Sequence, residues 1–300
     1  MIRLVTAFAI TSTLLLAQSC SFSSSSEEKP IAGATKQHEG HLMGNEGTHN
    51  SAQSHTHGGH SMGDGENLEQ AEAKLTEPKN ITPNTAVMLA IDIQNSDGII
   101  ANFDTFQEKL MHLIAVSDDL QFFSHLHPTY KQNGRFEVEA SFPKAGGYTL
   151  FSDYKPSGKT EQVSVMKTRV IGNTPTAPAI NLNRTKIFGN TKVNLTLDQS
   201  GLKAGEEVML AFDLREAASN QPVKDLQPYL GERGHLVIIK QSSPLTKVDY
   251  IHAHAHGMEN NPPGEVHFMT NFPKAGKYKL WGQFNRNGRI VTADFWVNVE

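Results

Sequence analysis

The sequence predicts an all-β protein, in which two tandem immunoglobulin-like antiparallel β-sandwiches follow a disordered N-terminal tail. Three observations carry this prediction. Short segments of alternating apolar and polar residues recur between turn signals, helical periodicity is essentially absent, and one nonapeptide occurs twice. The chain of 300 residues is long enough for two domains that each bury a core.

The composition narrows the class of function. The 27 Lys and Arg against 31 Asp and Glu leave a net charge of -4, which argues against a nucleic-acid binder with a basic face. Cys20 is the only cysteine, so an internal disulfide framework and a thiolate cage for zinc are excluded. The 14 histidines are clustered, and this clustering indicates metal binding.

The N-terminus has the features of an exported, lipid-anchored protein. Arg3 precedes an apolar stretch from Leu4 to Ala17 that is too short for a permanent membrane span, so residues 1–19 are predicted as a signal peptide. The segment that ends at Cys20 resembles a bacterial lipobox, in which the cysteine becomes the lipidated first residue. We therefore expect a protein held outside the cytoplasmic membrane by a lipid anchor, with an incidental cysteine as the alternative.

Residues 20–80 are predicted to form a disordered, histidine-rich tail, because they lack sustained apolar periodicity. A flexible chain with imidazole donors can wrap around copper, zinc or nickel, although it cannot impose selectivity for one of them. The alternative is a polar linker whose histidines bind nothing. The candidate ligands of the tail are His38, His41, His49, His55, His57 and His60.

The rest of the chain contains an internal repeat. The segment Phe142–Leu150 returns as Phe272–Leu280, and the two copies differ only where Gly147 and Thr149 are each replaced by a lysine. A duplicated domain explains this match. We place the first sandwich at residues 81–172, the linker at 173–181 and the second sandwich at 182–300.

Each copy carries the pattern of short strands that a sandwich requires. The alternating segments are Val87 to Ile93, Phe136 to Phe142, Lys192 to Leu197, Val208 to Leu214 and Ile290 to Val299. The Ala-Gly-x-Tyr turn resembles the tyrosine corner of immunoglobulin-type domains. It predicts a structural role for Tyr148 and Tyr278, with each hydroxyl bonded to backbone.

Two predicted hairpins bring histidines together. A four-residue loop at Ser117–Leu120 would place His112 directly opposite His125, and a similar loop at Ser242–Leu245 would place His235 opposite His252. The residue two positions further along each strand shares the same face. His127 and His254 can therefore join their respective pairs, and His256 can follow on the same strand.

Three imidazoles on one small patch can hold a metal ion, and their recurrence in both copies favours this interpretation over ordinary packed histidines. The ordered candidate ligands are His112, His125, His127, His235, His252, His254, His256, His267 and Met258. Nitrogen and thioether donors without a thiolate favour copper, with zinc as the alternative. Acidic residues Glu137, Glu139 and Asp153 are interpreted as strand residues on an exposed face.

Both copies resemble the YtkA-like group of secreted bacterial sandwich domains, which is related to FixH-like domains. The first copy does so through residues 103–114, Phe123–Pro128 and the turn at 142–148; the second does so through Pro222–Gly231, His235 and the run from His252 to His256. The resemblance covers about 81 to 300. It implies a sandwich fold and an exported protein in a copper-handling context.

The leading hypothesis is a lipid-anchored, extracytoplasmic metal-binding protein that buffers copper, transfers it or confers resistance to it. Its partners would be the metal ion, the membrane and a metal-transport or export protein, with no nucleic acid. One alternative is a non-enzymatic surface interaction module, and another is a copper or zinc enzyme. The sequence contains no motif that names a general base in a cleft, so no catalytic residue and no enzymatic activity are predicted.

Overall fold

The strand-forming segments fold into four antiparallel sheets, two in each copy of the repeat. The structure is a computed structural model, and it describes residues 70–199, 201–255 and 261–300. Within these residues the one helical element is a 3-10 turn at Lys247–Asp249, and none is long and apolar enough to cross a bilayer. The prediction of an all-β protein with two sandwich domains is confirmed.

The first sandwich consists of nine strands in two sheets. Its strands are β1 (Glu72–Thr76), β2 (Ala86–Asn95), β3 (Gly98–Ile99), β4 (Met111–Ser117), β5 (Phe123–Leu126), β6 (Thr129–Tyr130), β7 (Arg135–Ser141), β8 (Gly146–Tyr154) and β9 (Gln162–Val170). One sheet has the order β1-β2-β7-β6, with β3 paired to β2, and the other has the order β5-β4-β8-β9.

The second sandwich repeats this arrangement. Its strands are β10 (Thr185–Phe188), β11 (Thr191–Leu197), β12 (Glu207–Glu216), β13 (Leu226–Gln227), β14 (His235–Lys240), β15 (Tyr250–His254), β16 (Glu265–Asn271), β17 (Gly276–Arg286) and β18 (Arg289–Val299). One sheet has the order β10-β11-β12-β16. In the other, β17 lies between β14 and β18, β15 pairs with β14, and β13 pairs with the end of β17.

Each sandwich has its own apolar core and its own tyrosine corner. Leu113 and Phe136 belong to the first core, and Phe212 belongs to the second. The Tyr148 hydroxyl donates to the Lys144 carbonyl at 2.7 Å, and the Tyr278 hydroxyl donates to the equivalent Lys274 carbonyl at 2.7 Å. These bonds confirm the predicted structural role of both tyrosines.

The first sandwich begins earlier than expected. Glu72–Thr76 forms β1 and pairs with β2 from Glu72↔Gln94 to Thr76↔Ala90, although residues up to 80 were assigned to the tail. That assignment is wrong for these five residues. The strand is short, and its inward positions hold Ala73 and Leu75, so its alternation is too weak to show in the sequence.

The sheets that carry the histidines pack against each other. Every residue from Met111 to Val116 of β4 is buried, because one face of the strand lies on its own core and the other lies on the second sandwich. This interdomain contact forms a third apolar cluster. Its buried members are Ile114, Val116, Leu120, Phe151, Val237, Ile239, Leu245, Tyr250, Trp281 and Trp296.

The interdomain contact has approximate two-fold symmetry. Phe123 of the first copy stacks on Trp281 of the second, with ring centroids 4.9 Å apart and planes inclined by 17°. Tyr250 of the second copy stacks on Phe151 of the first, at 4.8 Å and 13°. Each pair joins equivalent positions of the repeat with the copies exchanged, as in an interface between two identical subunits.

The predicted hairpin register is wrong by two residues in both copies. In the first copy His125 faces Ile114, and in the second His252 faces Val237, while His235 faces His254. His112 and His125 are therefore diagonal neighbours on adjacent strands and do not lie directly opposite each other. The same holds for His235 and His252. A shift of two residues keeps every side chain on its original face, because the side-chain period of a strand is two.

Loop chemistry causes this shift. In the first hairpin the Ser117 side chain accepts hydrogen bonds from the backbone N–H groups of Phe122, at 2.9 Å, and Gln121, at 3.2 Å, so the first strand pair is Val116↔Phe123. In the second, Asp249 accepts a bond from the Thr246 backbone at 2.8 Å and holds the 3-10 turn inside a longer connection. Both loops exceed the predicted four residues.

Candidate metal centre

Five histidines converge at one end of the interdomain contact. His112, His125 and His127 come from the first hairpin, and His235 and His252 come from the second. His112 and His235 are fully buried, and the others are half-buried. Imidazole centroids of different copies lie 5.7 Å apart for His112 and His252 and 6.5 Å apart for His112 and His235. The structure thus brings members of both predicted sets together in one cluster.

In the first copy three imidazoles surround a common point. Nδ1 of His112 lies 3.0 Å from Nε2 of His125. The His127 ring lies 5.2 Å from the His112 ring and 4.7 Å from the His125 ring, and one ligand nitrogen from each of the three lies within 4.8 Å of the others. Nε2 of His127 is buried and has no hydrogen-bond partner. Such a nitrogen is available to a metal ion.

The second copy repeats the pair with the same atoms. Nδ1 of His235 lies 3.4 Å from Nε2 of His252, and the two ring centroids are 5.7 Å apart. The strand register places His254 opposite His235. The duplication therefore preserves the geometry of the pair as well as its residue types.

The outer nitrogen of each paired imidazole meets an oxygen acceptor. Nε2 of His112 lies 3.3 Å from the Phe106 carbonyl, and Nε2 of His235 lies 3.0 Å from the equivalent Tyr229 carbonyl. A carbonyl oxygen only accepts, so these nitrogens carry the proton and donate it. The inner Nδ1 atoms of both residues are then unprotonated in the neutral ring, a tautomer assigned from its acceptor.

The partner imidazoles are fixed across the interdomain contact. Nδ1 of His125 donates to Oε1 of Gln283 at 2.7 Å, and Nδ1 of His252 donates to Oδ2 of Asp153 at 3.1 Å. In the neutral ring of His125 the inner Nε2 then also lacks a proton. In the first copy two nitrogen lone pairs then face each other, and a cation between them would stabilise this arrangement.

Burial keeps the first-copy histidines neutral. Desolvation, together with the neighbouring His125, lowers the pKa of His112 to about 2. Desolvation lowers the pKa of His125 to about 4, and desolvation with the nearby His125 lowers the pKa of His127 to about 3. At neutral pH no proton is shared between these rings, and neutral imidazole is the form that binds metals.

His267 does not join the cluster, so its prediction as a ligand of this site is wrong. It lies on β16, in the other sheet of the second sandwich, where it pairs with Ala211. Val266 and Phe268 on either side are buried in the core, so His267 points to the opposite face. There its Nε2 contacts Oε2 of Glu265 at 2.9 Å.

Several predicted sites lie outside the described residues. These are Cys20, the tail histidines His38, His41, His49, His55, His57 and His60, and also His256 and Met258. His254 is placed by its strand register alone. All of them stay predictions.

Sequence reasoning missed the residues that hold the imidazoles. Asp153 was expected on an exposed face, but it is 4% exposed and contacts His252 across the interdomain contact. That expectation was wrong because the outer face of β8 is covered by the second sandwich. The repeat did contain a signal, since Asp153 and Gln283 each stand five residues after a corner tyrosine. A polar residue at the same place in two apolar strands indicates a shared role.

The fold and the site define a protein of two immunoglobulin-like domains with a histidine cluster at their mutual contact. The sequence matches one family model twice, at residues 66–170 and 186–300, and the chain belongs to that family, described as a domain of unknown function (DUF8832). The second matched segment agrees with the internal repeat. The proposed kinship with YtkA-like and FixH-like domains stays a prediction. Comparison with curated proteins finds no significant match.

Several solved structures are similar to this chain. The Escherichia coli adhesin FdeC has 13% identity and a TM-score of 0.26, with 78% of this chain and 65% of that chain covered. The Yersinia pseudotuberculosis adhesin InvE has 12% identity and a TM-score of 0.23, with 78% and 62% covered. Elastase-activated Escherichia coli alpha-2-macroglobulin has 12% identity and a TM-score of 0.26, with 77% and 20% covered. The chain thus spans less than two thirds of each of these proteins.

Proposed function

We propose that this protein binds copper through the histidines between its two sandwiches, and that it buffers the ion or transfers it to a partner. One observation carries the proposal: Nδ1 of His112 and Nε2 of His125 face each other at 3.0 Å while the other nitrogen of each ring donates to an oxygen. A metal ion between the two rings would accept both lone pairs.

The distances suit direct coordination. Two nitrogens that each lie about 2.0–2.1 Å from a metal ion, at a tetrahedral angle, are about 3.3 Å apart. The facing nitrogens are separated by 3.0 Å in the first copy and 3.4 Å in the second. In the first copy, the unpartnered Nε2 of His127 supplies a third donor.

The donor set supports copper over hard cations. Neutral imidazole suits copper, zinc and nickel, whereas magnesium and calcium require oxygen ligands. Copper has the highest affinity among the divalent first-row ions, so it would displace zinc from a site without a strong geometric bias. Binding and transfer need only these ligands, and we therefore propose no enzymatic step.

The location of the protein is part of the proposal. The apolar leader and the lipobox-like segment support export and a lipid on Cys20, with the protein facing the outside of the cytoplasmic membrane. Six histidines between residues 38 and 60 would collect ions near the anchor. An export or transport protein that receives copper is the partner such a buffer would serve.

A surface interaction module is the second candidate function. Two tandem immunoglobulin-like domains with a predicted lipid anchor fit this role. Hydrogen bonds between histidines and backbone carbonyls also occur in purely structural sites. Under this alternative the imidazoles would only align the hairpins, and a partner would bind elsewhere. Removing the histidines would then change stability and leave partner binding intact.

The test uses the full chain with its six tail histidines replaced by asparagine. We expect this protein to retain copper after dialysis, as measured by elemental analysis. The variant His112→Asn, His125→Asn should lose the ion of the first copy, and His235→Asn, His252→Asn should lose that of the second. His267→Asn serves as the control with the same substitution.

Circular dichroism would show whether each double variant is folded. Copper retained at the parent level by a folded variant that lacks all four of these histidines would overturn the proposal. Loss of copper with the His267→Asn control would also contradict it.

A further inference from the structure

Two buried polar side chains cross from one sandwich to the histidines of the other. Asp153 of the first copy is 4% exposed, and its Oδ2 accepts from Nδ1 of His252 at 3.1 Å. Gln283 of the second copy is 6% exposed, and its Oε1 accepts from Nδ1 of His125 at 2.7 Å. Burying these groups costs free energy unless they are hydrogen-bonded, and the two histidines provide these bonds.

The two residues are equivalent in the repeat. Asp153 pairs with His112 across β8 and β4, and Gln283 pairs with His235 across β17 and β14. Each therefore lies beside the buried histidine of its own copy but bonds to the outer histidine of the other copy. The crossed pattern follows the two-fold symmetry of the interdomain contact, in which the aromatic stacks are exchanged in the same way.

A histidine that ligates a metal almost always donates its second N–H to a carboxylate, carbonyl or amide oxygen, which fixes the ring and its tautomer. We propose that Asp153 and Gln283 are crossed positioning residues, so that each copy's metal site is completed by the other copy. This inference rests on the proposed function. It adds that the protein holds two ions, one per copy, and that both sites need the two sandwiches to be docked.

The crossed pair also makes the two sites unequal. A carboxylate beside Nδ1 of His252 increases the basicity of that imidazole, whereas the Gln283 amide beside His125 is neutral. For a divalent cation, the carboxylate therefore strengthens the second site relative to the same site with a neutral residue at this position. Asp153 controls this difference, although it belongs to the first copy.

The test separates the two sites in the full chain that lacks the tail histidines. His235→Asn with His252→Asn leaves only the first site, and His112→Asn with His125→Asn leaves only the second. Asp153→Asn is then introduced into each, and Cu(II) affinity is measured by competition with a chelator. Asp92→Asn, which changes a partly exposed aspartate of the same sandwich that pairs with Arg135, is the matched control.

We expect Asp153→Asn to weaken Cu(II) binding about 10- to 100-fold at the second site and to leave the first site unchanged. Gln283→Glu, introduced where only the first site remains, should strengthen binding there. The Cu(II) electron paramagnetic resonance spectrum of the second site should also change with Asp153→Asn. A merely structural Asp153 would instead affect the sandwich that contains it.

The outcomes distinguish failure of the proposed copper binding from failure of the crossed positioning. If neither single-site protein binds copper, the proposed function fails. If both bind copper but Asp153→Asn weakens the first site, weakens both equally or changes neither, the crossed positioning fails and copper binding stands. Equal effects of Asp153→Asn and the Asp92→Asn control would likewise overturn it.

Discussion

The contact between the two sandwiches has an apolar end and a histidine end, and their contributions to stability have opposite signs. Ile114, Val237 and Trp281 remove apolar surface from water, and this stabilises the docked copies. The imidazole pair of the first copy is buried at a cost, because its facing lone pairs gain nothing from each other. The difference indicates that the apolar end maintains the interface, and it agrees with the binding role proposed for the histidine end.

Acid is expected to weaken the histidine end more than any single substitution weakens the apolar end. The folded-state pKa values of His112, His125 and His127 are lowered to about 2, 4 and 3 from an ordinary value of 6.5. Between pH 6.5 and 4 the unfolded chain therefore binds protons that the folded chain does not. The free energy of unfolding falls with pH by up to about 1.4 kcal/mol per unit for each such proton.

Urea unfolding of the metal-free protein, measured with a chelator from pH 7.5 to 4.5, checks this expectation. Stability should be greatest above pH 6.5 and should decline steadily below it. The triple variant in which asparagine replaces His112, His125 and His127 should show a flatter profile. A wild-type profile that is level across this range would contradict the burial of three neutral imidazoles.

Truncation of the apolar end is expected to have the next largest effect. Trp281 is 3% exposed and stacks on Phe123 of the other copy, so Trp281→Ala removes interdomain contacts and leaves a cavity. We expect a loss of about 3–5 kcal/mol in the free energy of unfolding. Urea denaturation at pH 7.5 measures it.

The same variant sharpens the comparison between the ends. If docking positions His125 through Gln283, Trp281→Ala should also weaken copper binding at the first site in folded protein. Unchanged copper affinity would show that the histidine end keeps its geometry without the apolar end. Phe188→Ala, an aromatic truncation away from the interdomain contact, is the control for general destabilisation.

The sequence predicted the elements that depend on local pattern. Alternation identified β2, β7 and β12, and the repeated nonapeptide located the two tyrosine corners. The shared face of His112 and His125 was also predictable, since an even error in register leaves faces unchanged. These features need only the period of a strand and the chemistry of a turn.

The features that could not be predicted from the sequence depend on long-range packing. Hairpin register was set by the Ser117 side chain and by the Asp249 turn, which no periodicity reveals. The docking of the two sandwiches was also hidden, because a strand buried on both faces, such as β4, differs little from one with an apolar core face. If the docking of the sandwiches is not known, an aspartate in a strand, such as Asp153, is expected to face solvent.

His267 supplies the smallest expected effect and the sharpest contrast with His235. Both histidines belong to the second sandwich, but His267 lies on the outer face of β16 and contacts Glu265, whereas His235 is fully buried in the cluster. Substituting His267→Asn removes the contact with Glu265 and should change the free energy of unfolding by about 1 kcal/mol or less, the usual contribution of one hydrogen bond. Copper stoichiometry should not change either. A lower stoichiometry after His267→Asn would mean that copper is held by the outer sheet, and the division of the molecule into an apolar end and a binding end would then be incorrect.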